Sequence, residues 1–155
     1  MGTGGPLPQI TEQTVPEELS VYFKNPATDP LGYNQVEGKL YCGRDEVQLQ
    51  FKQKDSAFKK ISPVVIEFAY SEIYDVEYVS KWLRPKILLF KTRSPEKLKD
   101  FPGAEVGRVQ LRVIRAARED ARRAQVFIEY RQSEAYLRDS DARWSDLRDE
   151  FESDA

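Results

Sequence analysis

The period of hydrophobic alternation changes once along this chain, and that change constrains its fold more than any other feature. From Lys39 to Ile114 apolar residues recur at every second position in short bursts. From Arg115 onward they recur at helical spacing. A period of two sends successive side chains to opposite faces of a strand, whereas 3.6 residues per turn gathers them on one side of a helix. KLYC (39–42), the turn GRDE (43–46) and VQLQFKQ (47–53) therefore predict a β-hairpin. In its second strand Val47, Leu49 and Phe51 face inward and Gln48, Gln50 and Lys52 outward. VVIEFAY (64–70) aligns Val64, Ile66, Phe68 and Tyr70, and YDVEYVSKW (74–82) aligns Val76, Tyr78 and Trp82 against Asp75, Glu77 and Lys81. KILLFKT (86–92) reads as a short apolar strand. GRVQLRVI (107–114) ends the series with Val109, Leu111 and Val113 inward, so Arg108 and Arg112 form the polar face that a half-buried strand shows to water.

Proline and glycine punctuate the segments between strands. KNPATDPLGYNQ (24–35) and RSPEKLKDFPGAE (93–105) read as loops, KDSAFKKIS (54–62) as another, and residues 1–18 as a flexible arm rich in Gly, Pro, Thr and Gln. LSVYF (19–23) is apolar, and its pattern does not assign it to helix or strand. The expected organisation is an arm over 1–18, one domain over 19–138 and an acidic tail over 139–155.

In the helical stretch Ala117, Ala121, Ala124, Ile128 and Ala135 fall on one stripe, and small residues there imply close approach to the sheet. Glu119 and Asp120 occupy the first turn, where carboxylates complement the positive end of the helix dipole. Arg118, Arg122, Arg123 and Arg131 are dispersed around the helix and interleaved with acids, the look of a solvated surface. Val126, Tyr130 and Leu137 lie almost opposite the alanines, with Phe127 between. A helix that only caps a sheet needs one apolar face, and this one has two. The second is covered by another subunit, by the N-terminal arm or by the tail, or else is a scatter of simply exposed apolar residues. In the tail Trp144, Leu147 and Phe151 recur at spacings of three and four, so WSDLRDEF predicts a short acidic amphipathic helix. Val126, Phe127, Tyr130, Leu137 and Trp144 are the candidate interface residues.

Composition removes several chemistries. The chain has no histidine, which excludes imidazole as a general base and as a metal ligand. Its one cysteine, Cys42, sits in a strand pattern and reads as core; within one chain it can form neither a disulfide framework nor a thiolate zinc site. The carboxylates Glu72, Asp75 and Glu77 are what remains for acid–base work, and no motif accompanies them. The expectation is a protein that is not an enzyme and needs no cofactor or metal.

The net charge of −2 argues against nucleic-acid binding, although the charge is unevenly placed. Residues 81–99 hold seven Lys/Arg against Glu96, while 139–155 hold seven Asp/Glu against Arg143 and Arg148. Within the basic stretch, KWLRPK makes Lys81, Trp82, Arg84 and Lys86 a candidate anionic-ligand loop, with Trp82 dipping into a headgroup layer. The alternation itself favours the plainer reading, in which Trp82 continues the inward face of Val76 and Tyr78. No apolar run reaches the roughly 20 residues of a membrane span, and MGTGGPLPQI has neither a basic n-region nor an apolar h-region, so no secretory signal is expected. A cytoplasmic protein is expected, membrane-peripheral if the 81–86 loop binds lipid.

Antiparallel hairpins followed by one terminal helix resemble the pleckstrin-homology-like fold, in particular the bacterial PH-like and GRAM-like domains. The resemblance covers about residues 36–138. It is carried by VEGKLYCGRDEVQLQF, by VVIEFAYSEIYDVEY, by KILLFKT, and by FPGAEVGRVQLRVIRAAREDARRAQVFIEY as the closing unit. It implies a mostly β chain, an antiparallel β-barrel or sandwich capped by a C-terminal helix. It further implies a non-catalytic scaffold for protein contacts, self-association or lipid headgroups. Phosphoinositide-binding members carry paired Lys and Arg around the first hairpin. Here that turn places Arg44 beside Asp45 and Glu46, a departure that weighs against inositol-phosphate binding there.

Overall fold

In the computed structural model, residues 16–28, 30, 35–53 and 63–153 are described. The expectations for residues 1–15, for the 54–62 loop and for part of the 24–35 loop lie outside these residues. Seven strands form two antiparallel sheets. The first holds β1 (Leu19–Asn25), β2 (Val36–Cys42), β3 (Glu46–Gln53) and β4 (Val64–Ala69) in that order. The second holds β5 (Ile73–Val79), β6 (Ile87–Thr92) and β7 (Arg108–Arg112), and a single long helix, α1 (Arg118–Ser153), follows. The chain is mostly β with a C-terminal helix packed on its sheets.

Each hairpin follows from its residues. In β2–β3, Leu40 lies opposite Leu49 and Cys42 opposite Val47, which puts four apolar side chains on the inner face. Outside, Gln50 donates to Gln48 and Gln48 to Glu46, forming a polar ladder. The apolar segment 19–23, unassigned from sequence, is β1. It pairs with β2 along its whole length, burying Leu19, Val21 and Phe23. Gly38, partnered with Phe51, makes the tightest backbone approach: a Cβ built there would stand 1.9 Å from the Gln50 carbonyl oxygen. No other residue type fits β2 at that point without opening the sheet.

The two sheets join at one corner and through the core. A lone bridge between Phe23 and Val113 continues β1 onto β7, and the Asn25 side chain donates to Gln110 O and accepts from Arg112 N. At the other junction a 3-10 turn (Tyr70–Glu72) carries β4 into β5. The inner faces meet in one core, with Phe68 edge-on to Phe90 at 5.0 Å and Phe51 edge-on to Phe101 at 4.8 Å. The pairing in β5–β6 slips between Ile73 and Asp75, and strand structure ends at Val79. Trp82 therefore does not continue the inward face. The alternation read through it ran past the end of the strand.

The alanine stripe behaves as expected. Ala117, Ala121, Ala124 and Ile128 are buried against the strands, and Ala135 is half-buried. α1 contacts β1, β2, β5 and the 3-10 turn before β5. Two expectations need correction. Phe127 belongs to the core, 3 % exposed, because its angle around the helix is nearer the alanine stripe than Val126 and Tyr130. The tail forms no separate short helix: α1 runs unbroken through 139–153, since no Pro or Gly interrupts it. From Tyr136 to Glu152 every residue is exposed except half-buried Ser140. Among the described residues an ion pair joins Arg138 to Asp45 on the body at 3.7 Å. Beyond it the helix continues for about 22 Å, at 1.5 Å per residue.

Candidate functional site

Among the described residues, exposed apolar side chains gather on the outer side of α1 and at the β5–β6 turn. On α1, Val126 is 64 % exposed, Tyr130 44 %, Leu137 60 % and Trp144 68 %, and Leu147 and Phe151 are likewise exposed. Four of the five candidate interface residues thus share the outer side of one helix, and Phe127 is withdrawn to the core. Tyr136, not singled out from sequence, is also exposed.

The proximal part of this face is held in place by a group the sequence reading had placed in solvent. Arg131 is buried beneath it. Its guanidinium bonds the Glu17 carbonyl at 3.1 Å and pairs with Glu134 at 2.8 Å. The same cation lies over the rings of Phe127 and Tyr130, at 5.2 and 5.8 Å. A charge this buried needs such partners, because desolvating it alone costs several kcal/mol. Arg131 therefore ties the entry to β1 to the middle of α1 and fixes the Tyr130 ring. Gln132 adds a second tie, donating to the Tyr70 and Ile73 carbonyls at 3.1 and 2.8 Å.

The second surface is the KWLRPK turn. The Arg84 N–H donates to Lys81 O at 3.2 Å, and the Lys86 ammonium donates to the same carbonyl at 3.1 Å. Closing the turn forces Leu83 to φ +57°, a left-handed conformation that costs a residue with a Cβ roughly 1 kcal/mol. Trp82 and Leu83 are each 87 % exposed, so two large apolar side chains point into water beside Lys81 and Arg84. Next to the turn lies a hollow of about 460 Å³ whose described lining residues include Lys24, Lys86, Arg112, Arg115 and Arg118 and, among those described, no carboxylate. Sequence reasoning found Lys86. The other cations come from β1, β7 and the start of α1, and only the folded chain gathers them.

The carboxylates considered for acid–base work do not form a site. Glu72 Oε1 accepts from Ala69 N at 3.0 Å, Oε2 accepts from Ser94 Oγ at 2.7 Å, and Lys97 binds both oxygens at 2.9 and 2.8 Å. The Lys97 bond, then those from Ala69 and Ser94, hold this carboxyl down to about 2. A carboxylate so stabilised is a poor general base. It clamps the 3-10 turn to the β6–β7 loop. Glu77 points to solvent and Asp75 is half-buried. Burial pushes the Cys42 thiol up to about 12, which leaves it protonated and inert near neutrality. Among the described residues no group of His, Cys, Asp or Glu is arranged to hold a metal ion, and no helix is long and apolar enough to cross a membrane.

No protein-family model matches the chain, and no curated protein or solved structure matches it either.

Proposed function

We propose that this chain is a non-catalytic binding and assembly module of pleckstrin-homology-like architecture, acting through protein–protein contacts or self-association on the outer side of α1. One observation carries the proposal. The apolar residues of that side remain exposed over the whole helix, including the length that leaves the body. A capping helix needs no such length, and soluble surfaces rarely keep an aligned apolar row without a partner. The four-plus-three arrangement of strands before a C-terminal helix supports the architectural part.

The test pairs wild type with Leu137→Glu, a substitution at a position outside the core. Light scattering reads self-association, and quantitative affinity capture reads other protein partners. At least one association is expected to be lost in the variant while its melting temperature stays unchanged. Identical mass and identical bound proteins in both would overturn the reading.

A second reading has its own observation: Trp82 and Leu83 stand in water at a turn flanked by cations and a basic hollow. This is the chemistry of a turn that inserts two apolar side chains among lipid headgroups while Lys and Arg meet phosphates, each cation contributing about 1 kcal/mol near an anionic surface. Co-sedimentation with anionic but not neutral vesicles is expected, reduced by Trp82→Ala and by Arg84→Glu. Equal pelleting with both vesicle types, or none with either, would sink it.

A further inference from the structure

The exposed row on α1 has a regularity that the tail and the capping helix, read apart, conceal. Val126, Tyr130, Ser133, Leu137, Ser140, Trp144, Leu147 and Phe151 follow one another at spacings of four and three in strict alternation. That alternation is the heptad seam of a coiled coil, with Tyr130, Leu137, Trp144 and Phe151 at a positions and Val126, Ser133, Ser140 and Leu147 at d. Charged residues flank it in the exposed C-terminal part: Asp141 and Arg148 on the e side, Arg143 and Glu150 on the g side.

We infer that the occupant of this seam is a second copy of the same chain, bound antiparallel through the exposed C-terminal parts of the two helices. This rests on the assembly reading above and adds partner, orientation and register. Consider the register in which Trp144 of one helix meets Leu147 of the other and Phe151 meets Ser140. Each large aromatic then faces a smaller side chain across the seam, and the half-buried serine leaves room for the phenyl ring. In an antiparallel pair the g positions face each other, as do the e positions. Arg143 consequently meets Glu150, Asp141 meets Arg148, and two-fold symmetry repeats both pairs: four attractive contacts and no repulsive one. The overlap runs from about residue 138 to 153, a length whose described side chains are exposed apart from half-buried Ser140, and the antiparallel arrangement puts the two bodies at opposite ends.

The alternatives fare worse on the same residues. A parallel pair stacks Trp144 on Trp144 and Ser140 on Ser140. It also brings Arg143 against Arg148, and Glu129 against Glu134. Sliding the antiparallel pair by one heptad sets Arg143 against Arg143 and Asp141 against Asp141. Charge and size select the same arrangement.

The test begins with light scattering on the full chain over a hundredfold range of concentration. A mass rising to two chains is expected, and Leu147→Glu, which lies outside the core, should return it to one. Arg143→Glu should move the midpoint to roughly tenfold higher concentration, two mildly attractive pairs having become repulsive. Adding Glu150→Arg in the same chain should restore it. A parallel pair would instead be strengthened by Arg143→Glu, because the new carboxylate would meet Arg148. Orientation is also read by disulfide trapping: Trp144→Cys mixed with Leu147→Cys should cross-link the two variants to each other, with buried Cys42 silent. One-chain mass throughout, a dimer indifferent to Leu147→Glu, or preferential cross-linking of Trp144→Cys to itself would each overturn the inference. If a one-chain mass is found while Leu137→Glu still abolishes capture of another protein, the second copy is excluded and the module survives. If neither quantity responds to either variant, both fall.

Discussion

Glu72 and Gly38 show how much of this fold hangs on single side chains, or on the lack of one. The Glu72 carboxyl is held below its ordinary value of 4.5 in the folded state, so its contribution to stability is fully present above about pH 4.5 and disappears as pH falls toward 2. Glu72→Gln is expected to cost about 1–2 kcal/mol at pH 7, allowing for partial exposure of the ion pair. The difference from wild type should shrink to nothing as urea titrations are taken from pH 4.5 to 2. A variant effect independent of pH would assign the clamp to packing instead. Gly38→Ala asks more of the molecule, since a carbonyl oxygen occupies the space of the new methyl group. A loss of about 3 kcal/mol or more is expected by chemical denaturation, at the upper end of the overpacking range. Sequence alone shows neither role: Glu72 stands out only as a carboxylate, nothing in SEIYDV announces a lysine from the β6–β7 loop, and a glycine in a strand does not declare what approaches it.

Among the elements, strands were the most legible, because half-burial writes itself directly into alternation. β3 and β7 follow their predicted faces residue by residue, with Val47, Leu49 and Phe51 buried in one and Val109 and Leu111 in the other. β1 is not assignable from sequence, because five apolar-leaning residues without flanking alternation suit a strand or a turn of helix equally; its pairing with β2 makes it a strand. The turn after β5 escapes sequence reading for a related reason. Alternation carries no mark of where hydrogen bonding stops, and Trp82 fell in phase with a strand already ended at Val79. At the turn itself, Leu83→Gly is expected to leave stability unchanged or raise it by up to ~1 kcal/mol, relief of the left-handed backbone offsetting the added freedom of the unfolded chain. If the turn inserts into lipid, the same variant should lose anionic-vesicle binding, which co-sedimentation would read. On α1, the fully buried Ala124 leaves no room for a larger side chain. Ala124→Leu should lower stability by roughly 1–3 kcal/mol in thermal or urea melts.

For the whole molecule, the decisive fact is that body and protruding helix are separable in their demands. Strands, core and the first five turns of α1 bury one another, and after Arg138 the described side chains through Glu152 are exposed apart from half-buried Ser140. Replacing residues 139–153 by a flexible polar sequence should therefore shift the melting temperature of the body by no more than about 2 °C, about 0.5 kcal/mol for a domain of this size. A fall of 10 °C would mean the protrusion supports the body. The basic hollow belongs to this scale as well. Lys24, Arg112 and Arg118 are far apart in sequence, and each is unremarkable in its own segment; only the packing of β1, β7 and α1 brings their charges together.

The placement of the two tryptophans has a practical consequence. Trp82 rides the β5–β6 turn and Trp144 the free helix, both largely in water already, while the core holds phenylalanine, leucine and valine. For a single chain, unfolding will therefore change the emission little, and tryptophan fluorescence is a poor gauge of the stability of the body. The same arrangement makes it a good gauge of contact. A blue shift surviving in Trp144→Phe reports on the turn, one surviving in Trp82→Phe reports on the helix, and neither is confounded by the melting of the core.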